Sequence, residues 1–431
     1  MTGPIRDTTG ERIQDAFVES PTRANKTAVE VYVGDSLKVN SSFSPENLTP
    51  FGILKSDSST SVFESIFNFD KQPLIWNEVL ATGGTNTWNT TTNTIDLLST
   101  TANGSSVIVQ SKSRIRYNAS RSVLVQISGN FGGLKVGCRR RIGQFDANNG
   151  LFFECSNVAS VVIRSNATGS IVDTIVAQSA WNIDKLDGTG ASGLTLDLTK
   201  HQLFVIEYGW QGIAAVKFGV YINGKIQFFH QFNSSNTLTI PYMKTANLPI
   251  RLENTNTTAT ASNTTMSVNC VAVKNFGNDT DNEGSVLTFV SPSVKTVSAM
   301  PTFTPVLSVR LNAANINAIV ELLKAPIYGQ TADDVVWKLI LNPTLTGATF
   351  ANSIGYVQID NAATALTGGT DLVSGFTSSG KDSGLESLEN FKFVNTVFGS
   401  TQAGASDVIT LAASSRATTA GVWSSITWRQ F

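Results

Sequence analysis

The chain has 431 residues, of which 15% are charged, and its formal net charge is −1. A nucleic-acid binder needs a basic face to neutralise phosphates, and this balance argues against one. The length is enough for two or three domains. Abundant Asn, Thr, Ser, Ala and Gly disfavour long helices and suit strands joined by many turns, so an all-β protein is expected.

Residues 1–57 are polar, with one clear strand at Val29–Val33, and read as an extended N-terminal arm that attaches to a larger body. From residue 58 the pattern tightens. VFESIFNFD, NTIDLL, SSVIVQS, SVLVQISG, KVGCRRRIGQFD, LFFECS and ASVVIRSN are strand-like runs separated by turn residues. After the loop WNIDKLDGTGASG come HQLFVIEYGW, AAVKFGVYI, KIQFFHQF, LPIRLE and MSVNCVAVKNF. This spacing over residues 58–275 predicts a jelly-roll sandwich.

FGVYINGKIQFFHQF, Phe218–Phe232, predicts a hairpin on Asn223-Gly224, which supplies the positive φ values of a type I′ turn. Strict alternation would place Ile226, Phe228 and His230 on one face and Gln227, Phe229 and Gln231 on the other. His230 reads as a packed strand residue among aromatics.

Residues 276–285 are acidic and read as a linker. Asp279, Asp281, Glu283 and Gly284 begin like a calcium loop, but its twelfth position is Val290, where a carboxylate is needed, so the motif fails. Residues 286–431 predict a second β-sandwich, through VLSVRLN, DVVWKLILNP, YVQIDNA, ENFKFVNTVFG, DVITLAAS and SSITWRQF. Asn315–Lys324 fits a short helix or a strand, and turn signals on both sides favour the strand. In the last run Ser424, Ile426 and Trp428 share a face, which predicts a strand docked in a sheet.

The first 20 residues lack the apolar core of a signal peptide, and no window has the length and hydropathy of a membrane span. Cys138, Cys155 and Cys270 form no close pair, and with two histidines they give no zinc framework. Buried free thiols are expected, with a Cys138–Cys155 bridge the alternative if those strands pair.

No catalytic constellation stands out. His201 and His230 lack a nucleophile motif, and phosphate-cradling loops are absent. A glycosidase on such a sandwich would want alternating carboxylates on one strand, and none occur. A polysaccharide lyase would use Tyr221 and His230 with Arg139–Arg141, but the string Gln126-Ile127-Ser128 lacks the imidazole that such a site needs. No catalytic, cofactor-binding or metal-ligating residue is assigned, and no enzyme activity or cofactor is expected. The candidates for glycan or partner contact are Trp181, Asp187, Arg139, Arg141, Tyr221 and His230. Of the tryptophans able to stack on a sugar, Trp181 is favoured because it lies in the long loop. Arg139 and Arg141 share one strand face and Arg140 takes the other.

RRRIGQFDANNGLFFEC, the segment SIVDTIVAQSAWNIDKLDGTGASGLTLDLTKHQLFVIEYGWQGIAAVKFGVYINGKIQFFHQF, and YMKTANLPIRLE resemble a domain of uncharacterised virion proteins in tailed phages and large DNA viruses. The resemblance covers about Arg139–Glu253, a little over a quarter of the chain. It implies a concanavalin-A-like lectin or glucanase sandwich within a virion component, and it brings no catalytic residues. The expectation is a non-enzymatic phage structural protein of the tail, baseplate or fibre. A capsid-surface decoration protein is one alternative, and a glycan-binding lectin or polysaccharide lyase another. The implied partners are further copies of the chain, with a homotrimer expected, other virion proteins through the arm, and host-surface glycan, without nucleic acid or membrane insertion. The implied location is the virion, assembled in the host cytoplasm and released by lysis.

Overall fold

The computed structural model describes residues 49–50, 59–277, 284–330, 334–377, 382–383 and 397–431. The chain divides into two compact units, Met1–Pro45 and Glu46–Phe431, and all described residues lie in the second. The strand expected at Val29–Val33, nearly all of the arm, the centre of the linker with its acidic run, and most of ENFKFVNTVFG lie outside the described residues.

The fold is all-β: a two-sheet sandwich of fifteen strands is followed by a second sandwich. The strands of the first are β1 (Ser59–Ile66), β2 (Trp76–Ala81), β3 (Thr85–Asn89), β4 (Thr94–Ser99), β5 (Ser106–Ser111), β6 (Val123–Asn130), β7 (Cys138–Phe145) and β8 (Gly150–Cys155). They continue with β9 (Ala159–Ser165), β10 (Val172–Ala177), β11 (Gln202–Tyr208), β12 (Val216–Ile222), β13 (Lys225–Phe232), β14 (Ile250–Asn256) and β15 (Thr264–Phe276). One sheet has eight strands in the order β13-β12-β11-β6-β15-β4-β3, with β1 also on β15; the other has seven, β10-β9-β8-β7-β14-β5-β2. Consecutive strands form hairpins in each sheet, β7 to β10 in one and β11 to β13 in the other, and long-range pairings complete them, as in β14 beside β7 and β5.

Alternation explains why these segments pair face to face. Ile142, Phe153, Val161 and Leu252 of the seven-stranded sheet meet Val125, Ile127, Phe204, Phe218 and Val271 of the other in one dry core. Residues between them point outward. β15 spans both halves of its sheet: Thr264–Val268 pair with β4, and Cys270–Phe276 with β1.

The second sandwich has β16 (Ser285–Val290), β17 (Lys295–Val297), β18 (Thr304–Leu311), β19 (Val320–Lys324), β20 (Ile327–Gly329), β21 (Val335–Leu341) and β22 (Thr344–Thr346). β23 (Asn352–Ile354), β24 (Val357–Asp360), β25 (Ala365–Thr367), β26 (Thr370–Thr377), β27 (Asp382–Ser383), β28 (Val408–Ser415) and β29 (Ala420–Gln430) complete it. β29 organises one sheet by pairing with β16, β17, β19 and β20; the facing sheet runs β23-β24-β18-β28-β21-β26. Leu322, Ile426 and Trp428 from the first pack on Val309, Leu339 and Leu411 from the second. The ambiguous Asn315–Lys324 resolves into a strand from Val320 only. Before it comes a 3-10 turn, Ala313–Asn315, whose Asn312 side chain accepts from the Asn315 N–H.

The two sandwiches touch through the 399–402 loop and through Phe431. Ser400 N–H donates to Lys112 O at 3.0 Å, Gln402 N–H donates to Asn77 Oδ1 at 3.0 Å, and the Arg116 guanidinium lies 3.8 Å from the centre of the Phe431 ring.

Candidate functional site

The outward face of the seven-stranded sheet carries the densest charge cluster among the described residues. Register builds it from strands remote in sequence: Glu253 of β14 stands opposite Arg141 of β7, which stands opposite Glu154 of β8. Arg141 Nε donates to Glu154 Oε2 at 2.7 Å, and its Nη1 lies 3.5 Å from Glu253 Oε1. Arg251, two residues from Glu253 and so on the same face, donates to Glu253 Oε2 at 3.1 Å and to Gln110 Oε1 at 3.3 Å. Farther along, Arg164 forks onto Asp173 with two bonds of 2.8 Å.

Between these charges lie Phe145, Phe152 and Val162, a small apolar cluster of its own. The Arg141 and Arg164 guanidiniums sit 5.2 and 5.3 Å from the Phe152 ring centre, and Arg251 lies 5.5 Å from that of Phe145. Gly143 makes room for this layer, since a methyl group there would run into Leu151 O and the Phe152 backbone. Arg141, Glu154, Glu253 and Arg251 are all buried. Burial works to lower the Arg251 guanidinium pKa, and Glu253 opposes that without cancelling it.

The six candidate contact residues do not converge. Arg139 is half-buried beside Thr255, on the face that Arg141 shares. Arg140 points into the core, where its Nη1 donates to Phe131 O. Cys138 and Cys155 share that inward side; all three cysteines are free, and burial pushes the Cys155 thiol up to about 11.

Trp181 differs from the expected surface platform: it is 5% exposed and stacks on Phe229 at 3.9 Å. Its loop folds back as a plug because Asp184 is itself buried, accepting from Leu186 N–H at 2.8 Å and Ser192 N–H at 2.6 Å. Asp187 stays on the surface, where it accepts from the N–H and Oγ1 of Thr189 at 2.9 and 2.6 Å. Thr189 lowers its pKa by these bonds.

Tyr221 is 47% exposed on the outward face of the opposite sheet, opposite Ile226 near the hairpin tip. His230 departs from simple alternation. A register shift pairs Gly219 with Phe228 but Phe218 with His230, so Phe229 is the extra residue of a bulge. Beyond the bulge His230 turns inward beside Phe232, ring centres 4.5 Å apart. The Asn182 N–H donates to His230 Nδ1 at 3.3 Å, which assigns the neutral-ring proton to Nε2, and burial pulls the pKa down to about 4. Trp181 and His230 are thus brought together across Asn182 and Phe229, as packing.

Glu154, Glu253 and Arg251 were absent from the expected set. The signal available was Arg251-Leu252-Glu253, two charges on one face of an otherwise apolar strand. Nothing local links them to Arg141, which is more than 100 residues away. Among the described residues no group of three or more His, Cys, Asp or Glu is placed to hold a metal ion.

No protein-family model matches the chain, and no curated protein does. Among solved structures, glucanase and lectin domains are similar to this chain at low identity. One, from work on endo-acting O-glycanases of the human gut microbiota, is 14% identical with a TM-score of 0.36, covering 51% of this chain and 100% of the other. A β-1,3-1,4-glucanase from a mouse hindgut metagenome is 12% identical, TM-score 0.31, over 49% of this chain and 97% of its own. The Emp47p carbohydrate recognition domain is 12% identical, TM-score 0.33, over 52% and 100%. None of the three is a virion protein.

Proposed function

We propose that the chain is a non-catalytic structural and attachment protein of a virion, in which the lectin-type sandwich serves as a rigid module for surface contact. The observation that carries the non-catalytic reading is the Arg251–Glu253–Arg141–Glu154 network. Acid–base or nucleophilic work on a glycosidic bond needs two carboxylates free to exchange protons or attack. Here both glutamates are held by arginines, at 2.7 to 3.5 Å, beneath a buried face. The resemblance of Arg139–Glu253 to virion proteins supports the placement.

Incubation of the full chain with a panel of neutral and acidic polysaccharides tests the first part. No new reducing ends and no unsaturated uronate are expected. Cleavage that Glu154→Gln and Glu253→Gln abolish would overturn it. Recovery of the chain in purified particles tests the second part, and its exclusion from them would refute the virion role.

A second reading is glycan binding without cleavage, and exposed Tyr221 favours it, since an aromatic face open to solvent can stack on a sugar. On this reading Tyr221→Ala weakens binding on a glycan array at least tenfold, whereas binding that is absent or unaffected dismisses it.

A further inference from the structure

The lateral edges of the first sandwich are treated unequally. β13 is sealed: Ile183 and Asp184 N–H both donate to Phe229 O at 3.1 Å, and the Asn182 side chain bonds Gln231 O at 2.8 Å and Gln231 N–H at 2.9 Å. On β3, Lys71 Nζ donates to Asn86 O at 3.4 Å, and on β2, Gln402 Nε2 donates to Asn77 O at 3.4 Å. Among the described residues β10 receives one such bond, from Trp181 Nε1 to Val176 O at 3.2 Å.

In an antiparallel strand the backbone groups of alternate residues face the same side. Val172 and Thr174 therefore present their N–H and C=O outward, as Val176 does. Edges are ordinarily blunted by Lys, Pro, a bulge or a cover. β10 has no Lys or Pro, and its register with β9 is unbroken. Ile171, Val172 and Ile175 on this edge are 54%, 52% and 55% exposed. Its one charge, Asp173, is neutralised by Arg164.

We propose that β10 is the site where a second copy of this chain adds its own β10, continuing the seven-stranded sheet across a two-fold axis at Thr174. An antiparallel edge is complementary to itself under such a rotation, so the second copy needs no further matching sequence. This register sets Thr174 opposite its own counterpart and Val172 opposite Val176 of the second copy. Asp173 then faces Ile175 rather than another carboxylate, which avoids opposed like charges. The Trp181 bond leaves the Val176 N–H free to donate and the second lone pair of its carbonyl free to accept.

The test is the native mass of the full chain by light scattering, for wild type and three variants. Wild type should have twice the 46.0 kDa chain mass. Thr174→Lys should return a monomer, because the two-fold sets the two lysines directly opposite each other; the Thr174 side chain is exposed, so the variant should melt where wild type does when diluted to monomer. Thr174→Cys should cross-link under mild oxidation, because facing Cα atoms about 5.5 Å apart lie within disulfide reach. A wild-type monomer at all accessible concentrations overturns the proposal. So does an oligomer that Thr174→Lys leaves intact. If Val290→Lys instead disperses that oligomer, the contact belongs to the β16 edge, where Val286 and Val290 are exposed.

Discussion

Burial holds the His230 imidazole down to about 4, and its Nε2 has no partner among the described residues. The unfolded value is about 6.5. Between the two the unfolded chain binds more protons, so this group's contribution to stability is intact above pH 6.5 and is lost as pH falls toward 4. Urea unfolding at pH 7 and pH 4.5 measures it. Wild type should lose on the order of 1–2 kcal/mol more than His230→Gln over that interval. An equal loss in both would mean that the ring is solvated. The same residue shows where the sequence is legible and where it is not. That His230 lies in a strand among aromatics follows from the alternation. Its face does not, because a bulge is a property of two paired strands. Trp181 misleads for a related reason: loops ordinarily run on the surface, and only the buried Asp184 carboxylate, with its bonds to Leu186 and Ser192, shows that this one folds inward.

At the scale of the element, the hairpin of β12 and β13 is fixed by its turn. Asn223 has φ 52° and Gly224 φ 82°, the left-handed values that a two-residue connection needs, and Ile222 pairs with Lys225 across it. A Cβ on Gly224 would meet no atom within 4 Å, so a substitution there acts through backbone strain alone. Gly224→Val should lower the unfolding free energy by roughly 1–2 kcal/mol without altering the strands. Chemical denaturation measures it, and a neutral result would mean that the turn has another conformation. β29 is equally legible, since Ser424, Ile426 and Trp428 are buried and alternate with more exposed neighbours. The charged face of the seven-stranded sheet was not. Its pairs join β7 to β14 and β8, and the first of those pairings closes over more than 100 residues, so no local period encodes it.

At the scale of the molecule, two hydrophobic cores lie within one compact unit, joined where the 399–402 loop meets Lys112 and Asn77. Gly399 sits at this contact; a Cβ there would clash with Asp407 and come within 2.7 Å of Lys112 Cβ. Gly399→Val should uncouple the cores, so that calorimetry shows two transitions where wild type shows one. A single transition in the variant would place the coupling elsewhere. Arg141, Glu154, Glu253 and Arg251 form one buried network on the seven-stranded sheet. If it is structural, removing one partner leaves an uncompensated buried charge and costs about 3–5 kcal/mol. A catalytic carboxylate behaves otherwise, because sites kept for chemistry are held at the expense of stability and their replacement tends to be neutral or stabilising. The most direct measurement is therefore the unfolding free energy of Glu154→Gln at pH 7. A loss of about 3 kcal/mol or more is expected if the network is structural; an unchanged or higher stability would mean that Glu154 is held there for chemistry.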